Sequence, residues 1–159
     1  MQIIYLLISV LVIVADQSLK HVVVMNYSLG ETHTIIPGVI SFNYLRNDGA
    51  AWNIFSGQMW LFYLIALVAI IAIFYFLFVH PKKSRLFNIG LCLTLGGIIG
   101  NLIDRIHLKY VIDMIQLDFV NFNIFNLADS AITLGILCIF IYLIFIDKDE
   151  KNREGSRLK

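Results

Sequence analysis

The residues from Met59 to Val79 form an uninterrupted run of 21 without a single charge. A helix crossing the hydrocarbon core needs about 20 such residues, and three further stretches qualify. Leu86 to Ile103 is charge-free and broken only by Asn88, Asn101 and a glycine-rich stretch. Phe125 to Ile146 carries one charge, Asp129, near its start. Gln2 to about Met25 is apolar as far as Ala15 and then carries Asp16 and Lys20. Lipid offers the backbone no water, so such runs are helices. Composition agrees: 59% of the 159 residues are hydrophobic, 14% are charged and mean hydropathy is +0.82, against about 25% charge in soluble domains. The charge deficit excludes a disordered chain, a nucleic-acid binder and a secreted disulfide scaffold. The net charge of +1 implies no bulk electrostatic partner. Cys92 and Cys138 sit singly inside apolar runs, which gives neither a disulfide framework nor a metal spacing. The expected fold is an all-α polytopic membrane protein, a single membrane-embedded domain over residues 1–159 with four transmembrane helices at about 2–25, 59–79, 86–105 and 125–146.

The first run lacks a basic leading segment, and no small-x-small site follows it, so it is expected to be a retained span. Orientation follows from Lys and Arg placement. Of the 12 basic residues, 8 lie in the His80–Arg85 loop (Lys82, Lys83, Arg85) or in the tail 147–159 (Lys148, Lys151, Arg153, Arg157, Lys159). The other side holds Lys20, Arg46, Arg105 and Lys109. Both termini are therefore expected in the cytoplasm, with the connections of about 26–58 and 106–124 facing outward. Within the first, Ile40-Ser41-Phe42-Asn43-Tyr44 alternates apolar and polar, the period of a half-buried strand. Pro37-Gly38 and Asn47-Asp48-Gly49 flank it as turn signals. A small β element and a short segment on the outer face complete the expected architecture. No internal repeat or inverted symmetry is visible, and the mixed-charge tail reads as a solvated end.

The polar residues of the spans converge on one level. At 1.5 Å per residue, Asp16 lies toward the outer end of the first span, Asn101, Asp104 and Arg105 at the outer end of the third, and Asp129 about one turn inside the fourth. Ionisable groups at membrane depth are costly and by default mark a functional site. Asn101, Asp104 and Arg105 share a helix face by their i, i+3, i+4 spacing, as do Asn126 and Asp129. Each has a bland reading as well. Asp16 and Lys20 can be a helix ion pair, Arg105 can snorkel to head groups, and Asp129 can be an N-cap. Their shared depth favours a site. Gly96 and Gly100, with Gly97 beside them, read as a close-packing face. The four histidines show no metal spacing, and Ser130 lacks a nucleophile motif. What remains is carboxylates: Asp129, with Asp113 or Asp118 in the preceding outer connection.

These residues resemble a known family, the bacterial lipoprotein signal peptidases (signal peptidase II), over nearly the whole chain. Asp16-Gln17 with Lys20 is similar to that family's D-Q-x-x-K. Asn47-Asp48-Gly49-Ala50-Ala51-Trp52 resembles N-x-G-A-A plus an aromatic, and Gly100-Asn101-Leu102-Ile103-Asp104-Arg105 resembles G-N-x-x-D-R. Val111-Ile112-Asp113 resembles V-x-D, and Phe125-Asn126-Leu127-Ala128-Asp129-Ser130 resembles F-N-x-A-D-S. Met114 and Trp52 stand where phenylalanine is usual, both apolar-for-apolar departures. The resemblance implies an enzyme that removes signal peptides from diacylglyceryl-modified prolipoproteins, cutting on the amino side of the lipidated cysteine. It further implies Asp113 and Asp129 as the catalytic pair. Asn47, Gly49, Asn101, Arg105 and Asn126 then line the substrate pocket, with Asp16 and Lys20 as supporting residues. No cofactor, metal or nucleic acid is expected; the partners are the lipid-modified substrate and membrane lipids, and the working unit is a monomer in the bacterial cytoplasmic membrane.

The chemistry suits carboxylates. One can take a proton from water while a second, protonated, donates to the leaving group. Two close carboxylates cannot both ionise cheaply and share one proton. Donors for the developing oxyanion are Arg105, Asn101 and Asn126; Arg105 can equally orient a carboxylate or meet a lipid phosphate. Asp113, expected in a surface segment, would reach Asp129 only by folding over the span, which invites a closing lid. The alternatives are a small proton-coupled transporter or channel with Asp16, Asp104 and Asp129 as a relay, and a non-enzymatic membrane adaptor. A relay places ionisable groups at several depths, and an adaptor leaves the five blocks unexplained.

Overall fold

The computed structural model describes residues 2–49, 54–81 and 84–146. The Ala50–Trp52 part of the second block, Lys82, Lys83 and the basic tail lie outside the described residues. Four helices in it are long and apolar enough to cross a membrane. They are α1 (Gln2–Asn26), α2 (Met59–Phe74, continued by a π-helical turn Tyr75–Val79), α3 (Arg85–Leu108) and α4 (Leu127–Ile141, continued by a π-helical turn Tyr142–Ile146). All four expected spans are present, with bounds shifted by up to three residues. The shifts have local causes. Ser84 caps α3 by accepting from the Phe87 N–H, and Lys109 ends it in the left-handed conformation at φ 68°. Helix α4 starts at Leu127 because Asn126 caps it.

Helix α3 is central and buried along most of its length, whereas α1 and α4 each bury one stripe against it. Glycine makes those approaches possible. A Cβ on Gly96 would lie 2.7 Å from Val12 Cβ of α1, and one on Gly97 would run into the Ala128 carbonyl of α4. The close-packing face expected from Gly96 and Gly100 is therefore real, and it serves two neighbours rather than one.

Outside the bundle lies an antiparallel sheet in the order β1 (Thr32–Ile36), β2 (Ile40–Asn47), β3 (Val111–Leu117). The hairpin turns at Pro37-Gly38, where Gly38 has φ 72°. The expected strand at Ile40–Tyr44 is the first part of β2, yet its alternation is not the one the sequence suggests. Ser41 and Tyr44 are buried, three residues apart, because the pairing with β3 slips between Phe42 and Leu45. Strand β3 corrects a second expectation. The stretch around Asp113 is not a surface segment: Val111 to Met114 are all buried, held between β2 and the helices.

Candidate active site

Two elements deliver the two carboxyl groups. The pairing of β3 with β2 sets Asp113 opposite Leu45 and Val111 opposite Asn47, which brings the Asn47 side chain to Asp113. The first turn of α4 delivers Asp129. Asn126 caps that helix through Oδ1, which accepts from the Asp129 N–H at 2.9 Å, while Asp129 Oδ2 accepts from the Asn126 N–H at 3.2 Å. Asp129 is thus the third helical residue of a reciprocal cap and not the N-cap itself.

Three asparagine amides then converge on the pair. Asn126 Nδ2 donates to Asp113 Oδ1 at 2.7 Å and to Asn101 Oδ1 at 3.1 Å. Asn47 Nδ2 donates to Asp113 Oδ2 at 2.9 Å, and Asn101 Nδ2 donates to Asp129 Oδ1 at 2.7 Å. Asp113 is 1% exposed. Burial, and next the negative charge of Asp129, push its carboxyl up to about 7; the Asn47 and Asn126 donors and the Lys20 cation act in the opposite sense.

Behind the amides sits a buried charged cluster. Lys20 Nζ lies 2.9 Å from both Asp16 Oδ2 and Asp104 Oδ2 and donates to Asn101 Oδ1 at 3.0 Å. The Asp16–Lys20 pair is therefore the expected ion pair and also part of a larger network. Asp16 Oδ1 accepts from the Ala128 N–H at 2.9 Å, so a carboxylate of α1 satisfies a free donor in the first turn of α4. Asp104 Oδ2 accepts from the Ile112 N–H at 3.1 Å, tying α3 to β3. Gly100 leaves room for this, since a Cβ there would lie 2.8 Å from Asp16 Oδ2. Gln17 Nε2 donates to Asp104 Oδ1 at 2.9 Å and to the Gly100 carbonyl at 3.1 Å.

Asp113 and Asp129 open onto one cavity of about 630 Å3, the size range of small-ligand sites. Asn47, Gly49, Asn101, Arg105, Asn123, Ser130 and Thr133 add to its polar lining, and residues such as Val111, Leu117, Phe122 and Ile132 form apolar walls. Asn126, expected in the lining, is fully buried and not part of it. Arg105 does not grip a carboxylate; among the described residues it makes no ion pair. Its Nη2 donates to the Gly49 carbonyl at 3.2 Å, its guanidinium carbon lies 4.4 Å from the centre of the Phe62 ring, and its Nε has no hydrogen-bond partner among the described residues. Asp118, the other carboxylate left open by sequence, is exposed and accepts from Ser41 Oγ at 2.7 Å. Phe62 escaped the sequence analysis, because nothing singles out one aromatic in a charge-free span.

Comparison with known proteins decides the family. A family model described as signal peptidase (SPase) II matches residues 8–145. The chain belongs to the signal peptidase II family. Curated relatives named lipoprotein signal peptidase include one from Lactobacillus gasseri, 64% identical over 94% of this chain and 97% of its own length. Another, from Enterococcus faecalis, is 49% identical over 97% and 96%. A solved structure described as a bacterial membrane enzyme superposes with a TM-score of 0.86 at 34% identity, over 93% of this chain and 90% of that one. Membership of the signal peptidase II family makes the chain a peptidase and a multi-pass membrane protein. All five sequence blocks that resemble it have described residues in or directly behind the cavity.

Proposed function

We propose that this peptidase is an intramembrane aspartic endopeptidase that removes the signal peptide of diacylglyceryl-modified prolipoproteins, cutting on the amino side of the lipidated cysteine. The observation that carries the reading is Asn126, one residue that touches both carboxyl groups: its side chain donates to Asp113 while its backbone N–H donates to Asp129. Two carboxyls so close share a proton. The ionised member takes a proton from water as the water attacks the scissile carbonyl, and the protonated member donates to the leaving amine. Asn101 and Arg105, which line the cavity, are the donors closest to hand for the developing oxyanion, whereas both N–H groups of the Asn126 amide are taken by Asp113 and Asn101. The apolar walls suit acyl chains and the apolar end of a signal helix.

The site is read as lying near the outer face, with both termini in the cytoplasm and the monomer as working unit. That placement rests on the 8-to-4 division of basic residues. It keeps the substrate's acyl chains in lipid while its scissile bond reaches the polar layer. A reporter fused after Lys159 is expected to be active only inside the cell; activity only outside would invert the topology. The chemical reading is tested by giving the detergent-purified chain a lipid-modified prolipoprotein and the same protein unmodified. Mass spectrometry is expected to find a mature product beginning at the lipidated cysteine, from the modified substrate alone. No cleavage, or equal cleavage of both, would defeat it.

A further inference from the structure

Each of the three site amides offers its NH2 to a carboxylate, and a donor that holds its oxygen fixes the amide that way round. Two are held by backbone. Asn126 Oδ1 accepts from the Asp129 N–H at 2.9 Å, and Asn47 Oδ1 accepts from the Gly49 N–H at 3.0 Å. Asn101 lies inside α3, where neighbouring N–H groups serve the helix. Its Oδ1 instead accepts from two side chains, Lys20 Nζ at 3.0 Å and Asn126 Nδ2 at 3.1 Å.

We infer that Lys20 is a positioning residue for the reaction: it holds the Asn101 amide oxygen, and thereby aims the Asn101 NH2 at Asp129. The inference rests on Asp129 being one of the catalytic pair. An ammonium has three donors and no acceptor, so it fixes which way round the amide stands, which a neutral partner such as glutamine would not. Lys20 is 1% exposed, and its three donors are used up by Asp16, Asp104 and Asn101. Asn126 Nδ2 reaches the same oxygen as a neutral donor, so it is a weaker anchor than the charged ammonium. The two aspartates hold the ammonium where it can do this, and neither is itself in contact with Asp113 or Asp129 among the hydrogen bonds and ion pairs of the described residues.

The test is a double-mutant cycle between positions 20 and 101, read as kcat and KM on lipid-modified prolipoprotein. Lys20→Met alone strips the cation from two buried carboxylates and can fail to fold. Lys20→Met/Asp104→Asn removes one charge of each sign, leaves Asp16 as the remaining charge of the cluster, and keeps an oxygen for the Ile112 N–H. Asp104→Asn alone is its reference. Relative to that reference, the added Lys20→Met change is expected to lower kcat about 10-fold or more, with KM within about 3-fold. Adding it to Asn101→Ala/Asp104→Asn should cost almost nothing further, because the amide it positions is gone. Lys20→Arg, which keeps a donor and the charge, should stay more active than the methionine variant. Multiplying losses, an effect confined to KM, or unchanged kcat would each overturn the role assigned to Lys20. Asp129→Asn measured alongside separates the two readings: if it is inactive while the cycle is additive, only the positioning inference falls, and if it is fully active the aspartic reading falls with it.

Discussion

The two ends of the helix bundle are both well buried but are built on different physics. At the end carrying Arg85, Ile73, Leu77, Phe87, Leu91, Cys92, Leu95 and Tyr142 pack together, with the Phe87 and Tyr142 rings 4.9 Å apart. At the end carrying Leu108, the polar side chains Asp16, Lys20, Asn101, Asp104, Asp113 and Asn126 are buried beside a smaller apolar cluster of Val23, Tyr44, Ile112 and Met114. Apolar contacts are nondirectional, and lipid is as apolar as leucine, so the first end gains only close packing from its composition. Hydrogen bonds have direction, and a buried polar group left without a partner costs about 1–3 kcal/mol. The polar end therefore fixes how far α4 and β3 slide along α3, since Asp16 must meet the Ala128 N–H and Asp104 the Ile112 N–H. One end holds the helices together; the other fixes where the Asp113 and Asp129 carboxyl groups stand.

Substitutions at the two ends should separate activity from stability. The largest effect is expected at the polar end. Asn126→Ala removes the side chain that donates to Asp113 and caps α4, while keeping the backbone N–H that donates to Asp129. It should reduce kcat by about 10²–10³, the scale for loss of one site donor. The accompanying loss of a helix cap costs only about 1 kcal/mol, so the protein should still be recovered from membranes in quantity. Near wild-type kcat would remove Asn126 from the site. At the apolar end, Leu95→Ala opens a cavity at a residue 1% exposed. Lipid cancels most of the transfer penalty and leaves the packing loss, about 1–2 kcal/mol. Thermal unfolding in detergent should detect it, while kcat per folded molecule stays within about 2-fold. A large kcat loss there would erase the distinction between the ends.

How much of this was legible in sequence follows the same division. A span is a property of one contiguous run, so all four helices could be read from about 20 apolar residues each. The shared depth of Asp16, Asn101, Asp104 and Asp129 was legible for the same reason, since position along a helix is depth. Strand β3 was not. Val-Ile-Asp-Met is buried throughout, so it lacks the alternation that exposes a strand, and only its pairing with β2 makes Asp113 an inner residue. The bulge between Phe42 and Leu45 hid the true inward face of β2 in the same way. Arg105 was placed in the site, but its resting partners, the Gly49 carbonyl and the Phe62 ring, come from distant parts of the chain.

A smaller effect sharpens the comparison through pH. Asp113 is pushed up to about 7 by burial first and by the Asp129 charge second. A carboxyl whose folded value exceeds its unfolded value, about 3.9, stabilises the fold below that lower value. The contribution is lost as pH rises through the folded value. Asp113→Asn cannot ionise, so its melting temperature relative to wild type should shift upward by a few degrees between pH 5 and pH 8. A difference that is flat with pH would mean that Asp113 titrates as an ordinary surface carboxyl.

The central claim, that Asp113 and Asp129 act as one unit, is tested most directly by kcat for Asp113→Asn, Asp129→Asn, the double variant and Asp118→Asn on lipid-modified prolipoprotein. Each single change at 113 or 129 should cost at least about 10³ in rate, and the double change little more, because groups acting together are strongly non-additive. Asp118→Asn, an exposed carboxylate tied to Ser41, should keep most of its activity. Wild-type rates for both Asp113→Asn and Asp129→Asn, or single losses that multiply in the double variant, would contradict the account.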